Sequence, residues 1–277
     1  MKPTLRIISV VVVVALATTT AVAQQPAPST ADRAAVPFSD PGRPGTLKVR
    51  LLEGSVSIKG SSRRDVLFTS NSQGGREVLR RRQQAETPPG MRRLTQPAGF
   101  GLEERDNEMS VSAGANRQVN LDIEVPMKTR LEVSVVNGGI TVDGVDSEME
   151  INTVDGGITV TNVGGSVVAH AVDGRISATI TRVAPQAPMA FTSLNGDIDV
   201  TLPPAVKANL RLRSDQGDVF TDFDVQLTAS ANAGKTERNG RAVRVDINRS
   251  ISGTVNGGGP DFELRTFDGN VYVRKGK

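Results

Sequence analysis

From Leu47 onward, apolar residues fall two apart in short runs that are broken by Asn-Gly or Asp-Gly pairs. In VVNGGITVDGVDSEMEINTVDGGITV, residues 135–160, a strand, a turn and a second strand are written twice. Alternate residues of a strand share a face, so the inward set can be aligned from turn to turn. Before each turn, Val133 and Val135 match Ile151 and Thr153, Ala169 and Ala171, Phe191 and Ser193, Leu212 and Ser214, and Leu264 and Thr266. After it, Ile140 and Val142 match Ile158 and Val160, Ile176 and Ala178, Ile198 and Val200, and Val271 and Val273. The position two before each Asn or Asp is small, as expected where a tight corner leaves little room. Val135, Thr153, Ala171, Ser193 and Ser214 are predicted to stack in one interior row.

The turns themselves are Asn137-Gly138, Asp155-Gly156, Asp173-Gly174, Asn195-Gly196, Gln216-Gly217, Asn256-Gly257 and Asp268-Gly269. From Gly138 through Gly156, Gly174 and Gly196 to Gly217 the spacing stays near a single period, which marks stacked repeats. The next step, from Gly217 to Gly257, spans two such periods and suggests one coil without its Gly. Asn-Gly and Asp-Gly are also strong hairpin signals, so an antiparallel meander is the rival architecture. The recurrence of like residues at like positions favours coils stacked in register. The expected fold is an all-β parallel β-solenoid, β-helix-like, with coils of roughly 20 residues.

The runs VVNGGITV, TVDGGITV, LNGDIDVTLP and TDFDV, with the closing NGGGPDFEL and FDGNVYVRK, resemble the bacterial putative-adhesin family of β-strand-repeat domains, a domain of unknown function. The resemblance spans about Leu47 to Lys275. It implies an extracytoplasmic β-helix-like fold and transfers no catalytic residue.

Outside the repeats, composition changes the picture in three places. Met1 to Ala23 has Lys2 and Arg6 ahead of an apolar run, Ile7 to Ala17, and closes on Ala21-Val22-Ala23, the pattern of a cleaved secretory signal. Residues 24–46 are rich in Pro, Ala and Ser and are expected to be a disordered linker. Residues 47–277 then form a single domain, with Asp65 to Ser70 continuing the first coil. An insertion at 74–101 carries Arg76, Arg80, Arg81, Arg82, Arg92 and Arg93, which could dock an anionic ligand or simply solvate a loop. Gln226 to Arg241 reads as a surface loop, and Ala242–Ile251, Phe262–Phe267 and Val271–Arg274 as the strands that close the stack, with Arg274, Lys275 and Lys277 as a charged end cap.

The chemistry of common sites is absent from the pattern. There is one His, His170, on an outward position without a patterned Ser or Asp partner, and there is no Cys, which excludes thiolate or multi-histidine zinc sites. Asp218, Asp222 and Asp224 are the densest carboxylates, but the turns do not match the nine-residue Ca²⁺ roll repeat. No phosphate-cradle motif occurs. Aromatics make up 3% of the chain and Trp is absent, against the stacked-aromatic platforms of single-strand nucleic-acid binders. Net charge is +3, or 31 − 30 = +1 without Lys2 and Arg6, so basicity is local.

The expectation is a non-enzymatic, exported cell-envelope protein, an adhesin or structural interaction module, located in the periplasm, at the cell surface or secreted. Its partner would be an envelope protein or a glycan, with no nucleic acid, no cofactor and no metal. The alternative is a periplasmic binding or sensor-linked module that recognises an anionic envelope component through the Arg-rich insertion. A carbohydrate-active β-helix enzyme ranks last, since it would rest on fold analogy alone. The turn residues Asn137, Gly138, Asp155, Gly156, Asp173, Gly174, Asn195, Gly196, Gly217, Asp268 and Gly269 are assigned structural roles.

Overall fold

The structure, a computed structural model, describes residues 32–70, 100–113, 118–228, 235–239, 242–246 and 250–277. The chain is all-β, with two large and largely parallel sheets facing each other across one apolar core. The central strands alternate strictly between the sheets. β8 (Arg130–Asn137), β10 (Met149–Asp155), β12 (Val167–Asp173) and β14 (Met189–Asn195) lie side by side in one sheet. β9 (Ile140–Asp143), β11 (Ile158–Gly164), β13 (Ile176–Arg182) and β15 (Ile198–Leu202) do so in the other. All these neighbours pair in parallel, so the chain winds in flattened, solenoid-like coils rather than in hairpins.

The ends depart from simple winding. β2 (Thr46–Glu53) and β3 (Val56–Ser61) form the first coil in sequence but not in space. They are sandwiched between β8 and β9 on one side and β6 (Glu108–Ala113) and β7 (Leu121–Pro126) on the other, all in parallel. The C-terminus does the same. β22 (Asp261–Asp268) inserts between β14 and β16 (Ala208–Ser214), and β23 (Val271–Lys275) inserts between β15 and β17 (Val219–Thr221). The expected closing strands Phe262–Phe267 and Val271–Arg274 are therefore interior. Arg274 is not an end cap, and its Nε donates to Asp199 at 2.8 Å.

Antiparallel strands cover three of the four edges of the two large sheets, while β17, parallel to β23, ends the fourth, which leaves fewer bare parallel edges to recruit other chains. β4 (Asp65–Ser70) runs antiparallel to β7 and is covered by β1 (Asp32–Pro37), while β5 (Phe100–Arg105) covers β6. At the other end β21 (Ile251–Val255) covers β16 and is paired by β18 (Val225–Leu227). β19 (Lys235–Asn239) and β20 (Ala242–Asp246) make a separate hairpin.

Four expectations are corrected here. Residues 32–46 are not linker: β1 lies within them and Phe38 is buried in the core. β4 does not continue the first coil but covers β7, one strand further out. Among the described residues of Gln226–Arg241, only Thr228 lies outside β18 and β19, so those residues are strand rather than surface loop. Among the described residues, the long step from Gly217 to Gly257 shows no coil lacking a Gly: β17 to β21 lie within it, and Gly257 belongs to the turn before β22, with nothing within 4 Å of a Cβ placed there.

The turn glycines form one column along a corner. A Cβ on Gly156 would overlap the carbonyl oxygen of Gly138, and its φ of +146° is unfavourable for L side chains. The same contact repeats from Gly138 to Gly54, Gly174 to Gly156, Gly196 to Gly174, Gly269 to Gly196 and Gly217 to Gly269. Beside it runs the predicted interior row, in the spatial order Leu51, Val135, Thr153, Ala171, Ser193, Thr266, Ser214. All are buried. Thr266 comes between Ser193 and Ser214 because the C-terminal coil is inserted there. The preference for small residues has a chemical reason beyond space. Thr153, Ser193, Thr266 and Ser214 donate their hydroxyls to the carbonyls of Gly138, Gly174, Gly196 and Gly269, at 3.3, 3.1, 2.9 and 2.7 Å. Corner carbonyls that no strand ladder reaches are thereby satisfied.

Candidate functional site: a cationic, proline-lined corner

The two corners of the coils differ in kind. At the glycine corner the turns are tight, and their exposed ladder of Glu53, Asn137, Asp155, Asp173, Asn195 and Asp268 is set by strand register. One position earlier each coil presents an apolar side chain: Leu52, Val154, Val172, Leu194 and Phe267 are each 39–49% exposed. Asn195 donates to Asp173 along this ladder.

The opposite corner is hollowed. Three adjoining hollows run along it, the first and second sharing Pro44 and the second and third sharing Pro185. Prolines line all three: Pro41, Pro44 and Pro126, then Pro185 and Pro188, then Pro203 and Pro260. Proline has no N–H to offer a neighbouring strand, so the coils part there instead of closing. The cationic residues of the lining are Arg43, Arg63, Arg64, Lys128, Arg130, Arg182 and Lys207, and its one carboxylate is Glu148. Glu148 is already engaged by Arg130 at 2.7 Å.

Asp146, just behind this lining, ties the corner together. Its carboxylate takes Lys128 from the preceding corner turn and Arg182, at 2.6 Å, from the next coil but one. The hydrogen bond from Lys128, and after it the one from Arg182, hold Asp146 below the usual carboxylate range. The turn of residues 40–45 is pinned as well. Asn107, 8% exposed, accepts from the Asp40 amide at 2.7 Å and donates to the carbonyls of Asp40 and Arg43. Glu104 accepts from the Ser39 hydroxyl and amide, which lower its pKa.

Of the residues singled out in the sequence, Arg76, Arg80, Arg81, Arg82, Arg92 and Arg93 lie outside the described residues. Of the insertion, Phe100 and Gly101 are described, and they begin β5. His170 is exposed on β12 between Asn152 and Thr192. Asp218, Asp222 and Asp224 do not converge. The Asp218 amide donates to Asn270, and Asp222 accepts from the Lys275 amide at 2.6 Å. Among the described residues no group of three or more acidic or His side chains could hold a metal ion. On the outer face of the other sheet Thr141, Thr159, Ser177, Asp199, Tyr272 and Phe220 form one row, with the C-terminal coil supplying Tyr272 between Asp199 and Phe220. Those two rings stack at 5.2 Å, with the Arg274 guanidinium over Tyr272. The cationic corner was missed from the sequence because its residues follow no fixed spacing, and its one recurring signal is the prolines between the strands.

The profile of the family described as toastrack, DUF4097, matches residues 44–256. The chain belongs to the toastrack family. That match begins just before β2 and ends at β21, so the inserted C-terminal coil lies beyond it. Two solved structures are similar to this toastrack chain. A "putative cell adhesion protein" from Clostridium sporogenes is 11% identical with a TM-score of 0.45, covering 89% of this chain and 100% of its own. A "putative adhesin" from Bacteroides fragilis is 10% identical with a TM-score of 0.37, covering 89% and 97%. No curated protein matches.

Proposed function

We propose that this toastrack protein is a non-enzymatic, exported interaction module of the cell envelope, of adhesin type, that holds an acidic envelope glycan along its proline-lined corner. The observation that carries the reading is charge: seven cationic side chains line three adjoining hollows, and although Arg43, Arg63, Lys128, Arg130 and Arg182 pair with carboxylates, Arg64 and Lys207 pair with none among the described residues. Clustered cations in a concave strip focus positive potential and suit a polyanion better than a neutral surface does. Winding in parallel β-solenoid coils of roughly 20 residues suits this role, because each coil adds one more contact at a fixed spacing.

The test is retention of the purified chain on immobilised dextran sulfate across a salt gradient, against the triple variant R130Q/R182Q/K207Q. Weaker retention of the variant supports the reading, and unchanged retention rejects the corner as the binding surface. The Arg-rich insertion is the second reading. It is favoured if R80A/R81A/R82A abolishes retention while the corner variant does not. Protease shaving of intact cells tests location: cleavage places the protein at the surface, and protection until the envelope is opened places it in the periplasm.

A further inference from the structure

The hollow at the N-terminal end of the corner has a property the other two lack. Among the described residues, two buried side-chain polar atoms have no hydrogen-bond partner, Nε of Arg63 and Oγ1 of Thr129. Both residues line this one hollow. Thr129 is 1% exposed, so bulk water does not reach its hydroxyl. A hydroxyl and a guanidinium N–H are both donors, and buried donors are normally satisfied. Two unsatisfied donors in one wall mean that an acceptor belongs there.

The surroundings say which acceptor. The lining holds Arg43, Arg63, Arg64 and Lys128 and no carboxylate. Arg43, Arg63 and Lys128 each pair with a carboxylate outside the lining, namely Asp40, Asp65 and Asp146. Arg64 pairs with no carboxylate among the described residues. The donors come from three separate turns, 40–45, 61–64 and 126–129, that the stacking of the coils brings to one hollow. A tetrahedral oxyanion offers acceptors to several donors at once, which suits a lining drawn from three turns, whereas a planar carboxylate suits one guanidinium in a fork. The hollow encloses about 260 Å³, below the range of drug-sized ligand pockets and suited to a single ionic group. The 40–45 wall is already clamped by Asn107, so little has to be ordered on binding.

We propose that Arg63, Arg64 and Thr129, with Arg43 and Lys128 at the rim, form a binding site for a phosphate group, either free inorganic phosphate or a phosphomonoester. The site shares the cationic corner of the glycan reading but does not need a polymer to occupy it.

The test is calorimetric titration of the purified chain with inorganic phosphate and, separately, with glycerol 1-phosphate, at constant ionic strength. The expected dissociation constant is about 1 mM or tighter. Binding of both probes identifies the phosphoryl group itself as the feature recognised, and binding of inorganic phosphate alone identifies a site for the free anion. Thr129→Val keeps the shape and removes the donor, so it should weaken binding by about tenfold while melting no lower than wild type. Arg64→Gln should weaken binding comparably. The single variant Lys207→Gln, which lies in the third hollow and touches neither Lys128 nor Asp146, should leave phosphate binding unchanged, so a failed dextran sulfate experiment and a failed phosphate experiment are separable. Absence of binding for both probes overturns the proposal, as does full-strength binding by Thr129→Val.

Discussion

Replacing Thr266 by Val isolates the hydroxyl-to-carbonyl bond of the interior row. Thr266 is fully buried, and Val has nearly its shape, so packing is retained and the donor to Gly196 is lost. The bond is 2.9 Å long. Leaving a buried carbonyl unsatisfied costs about 1–3 kcal/mol, and the apolar gain of a methyl in place of the hydroxyl returns up to about 0.8 kcal/mol. The net expectation is a loss of about 1–2 kcal/mol, which for a domain of this size lowers Tm by about 2–8 °C. The reciprocal change is available in the same row. Ala171 occupies the equivalent place facing the Gly156 corner, and Ala171→Ser supplies the missing donor there, with an expected gain of about 0.5–1 kcal/mol. Urea unfolding followed by circular dichroism reads both, as shifts of midpoint at constant m. Wild-type stability in Thr266→Val, together with no gain in Ala171→Ser, would refute the claim that these hydroxyls are held in the row for the corner carbonyls.

Three further outcomes are expected. Gly156→Ala should lose about 3 kcal/mol or more, from an unfavourable φ and overlap with the Gly138 carbonyl, whereas Gly139→Ala, whose nearest contact is 3.6 Å away, should unfold near wild type in the same assay. Ending the chain at Pro260 removes β22 and β23 from the middle of the stack and should abolish the folded circular dichroism spectrum, where loss of a true end coil would only shorten it. Asp146→Asn should cost about 0.5–1 kcal/mol at pH 7, since the cations around Asp146 are largely exposed and screened. Because the folded carboxyl titrates below its unfolded value of about 3.9, that contribution is present above pH 4 or so and fades as pH falls through the depressed pKa. Wild type and variant should therefore converge in acid melts, and a gap that persists there would show the loss is not electrostatic.

The central coils were legible because their signal is local: an inward pair, Asn or Asp, Gly, and another inward pair recur within each coil. The order of the coils was not. Leu264 and Thr266 carry the same inward pattern as Phe191 and Ser193, so nothing in residues 261–277 distinguishes a coil added at the end from one inserted between two others. β1 was hidden by composition, since Ala, Pro and Asp are poor strand formers and the segment is held instead by pairing with β4 and by Phe38 in the core. The phosphate hollow was invisible for a different reason: Arg43, Arg63, Arg64 and Thr129 sit in three turns far apart along the chain, and only the stacking of the coils brings them to one place.

The inserted end coils also set an order of events for the chain as a polymer. In the middle of the stack, neighbouring partners such as Val135 and Thr153 are a single coil apart in sequence, whereas Leu51 must find Val135 several coil lengths further on. Closing the longer loop costs about 1.4 kcal/mol more in chain entropy, so the coils from β8 to β15 should assemble first and both ends dock onto them afterwards. Repeat arrays commonly fray from their termini. Here each terminal coil is trapped under the neighbour that lies beyond it, so the last segments to fold are the ones that lock the rest.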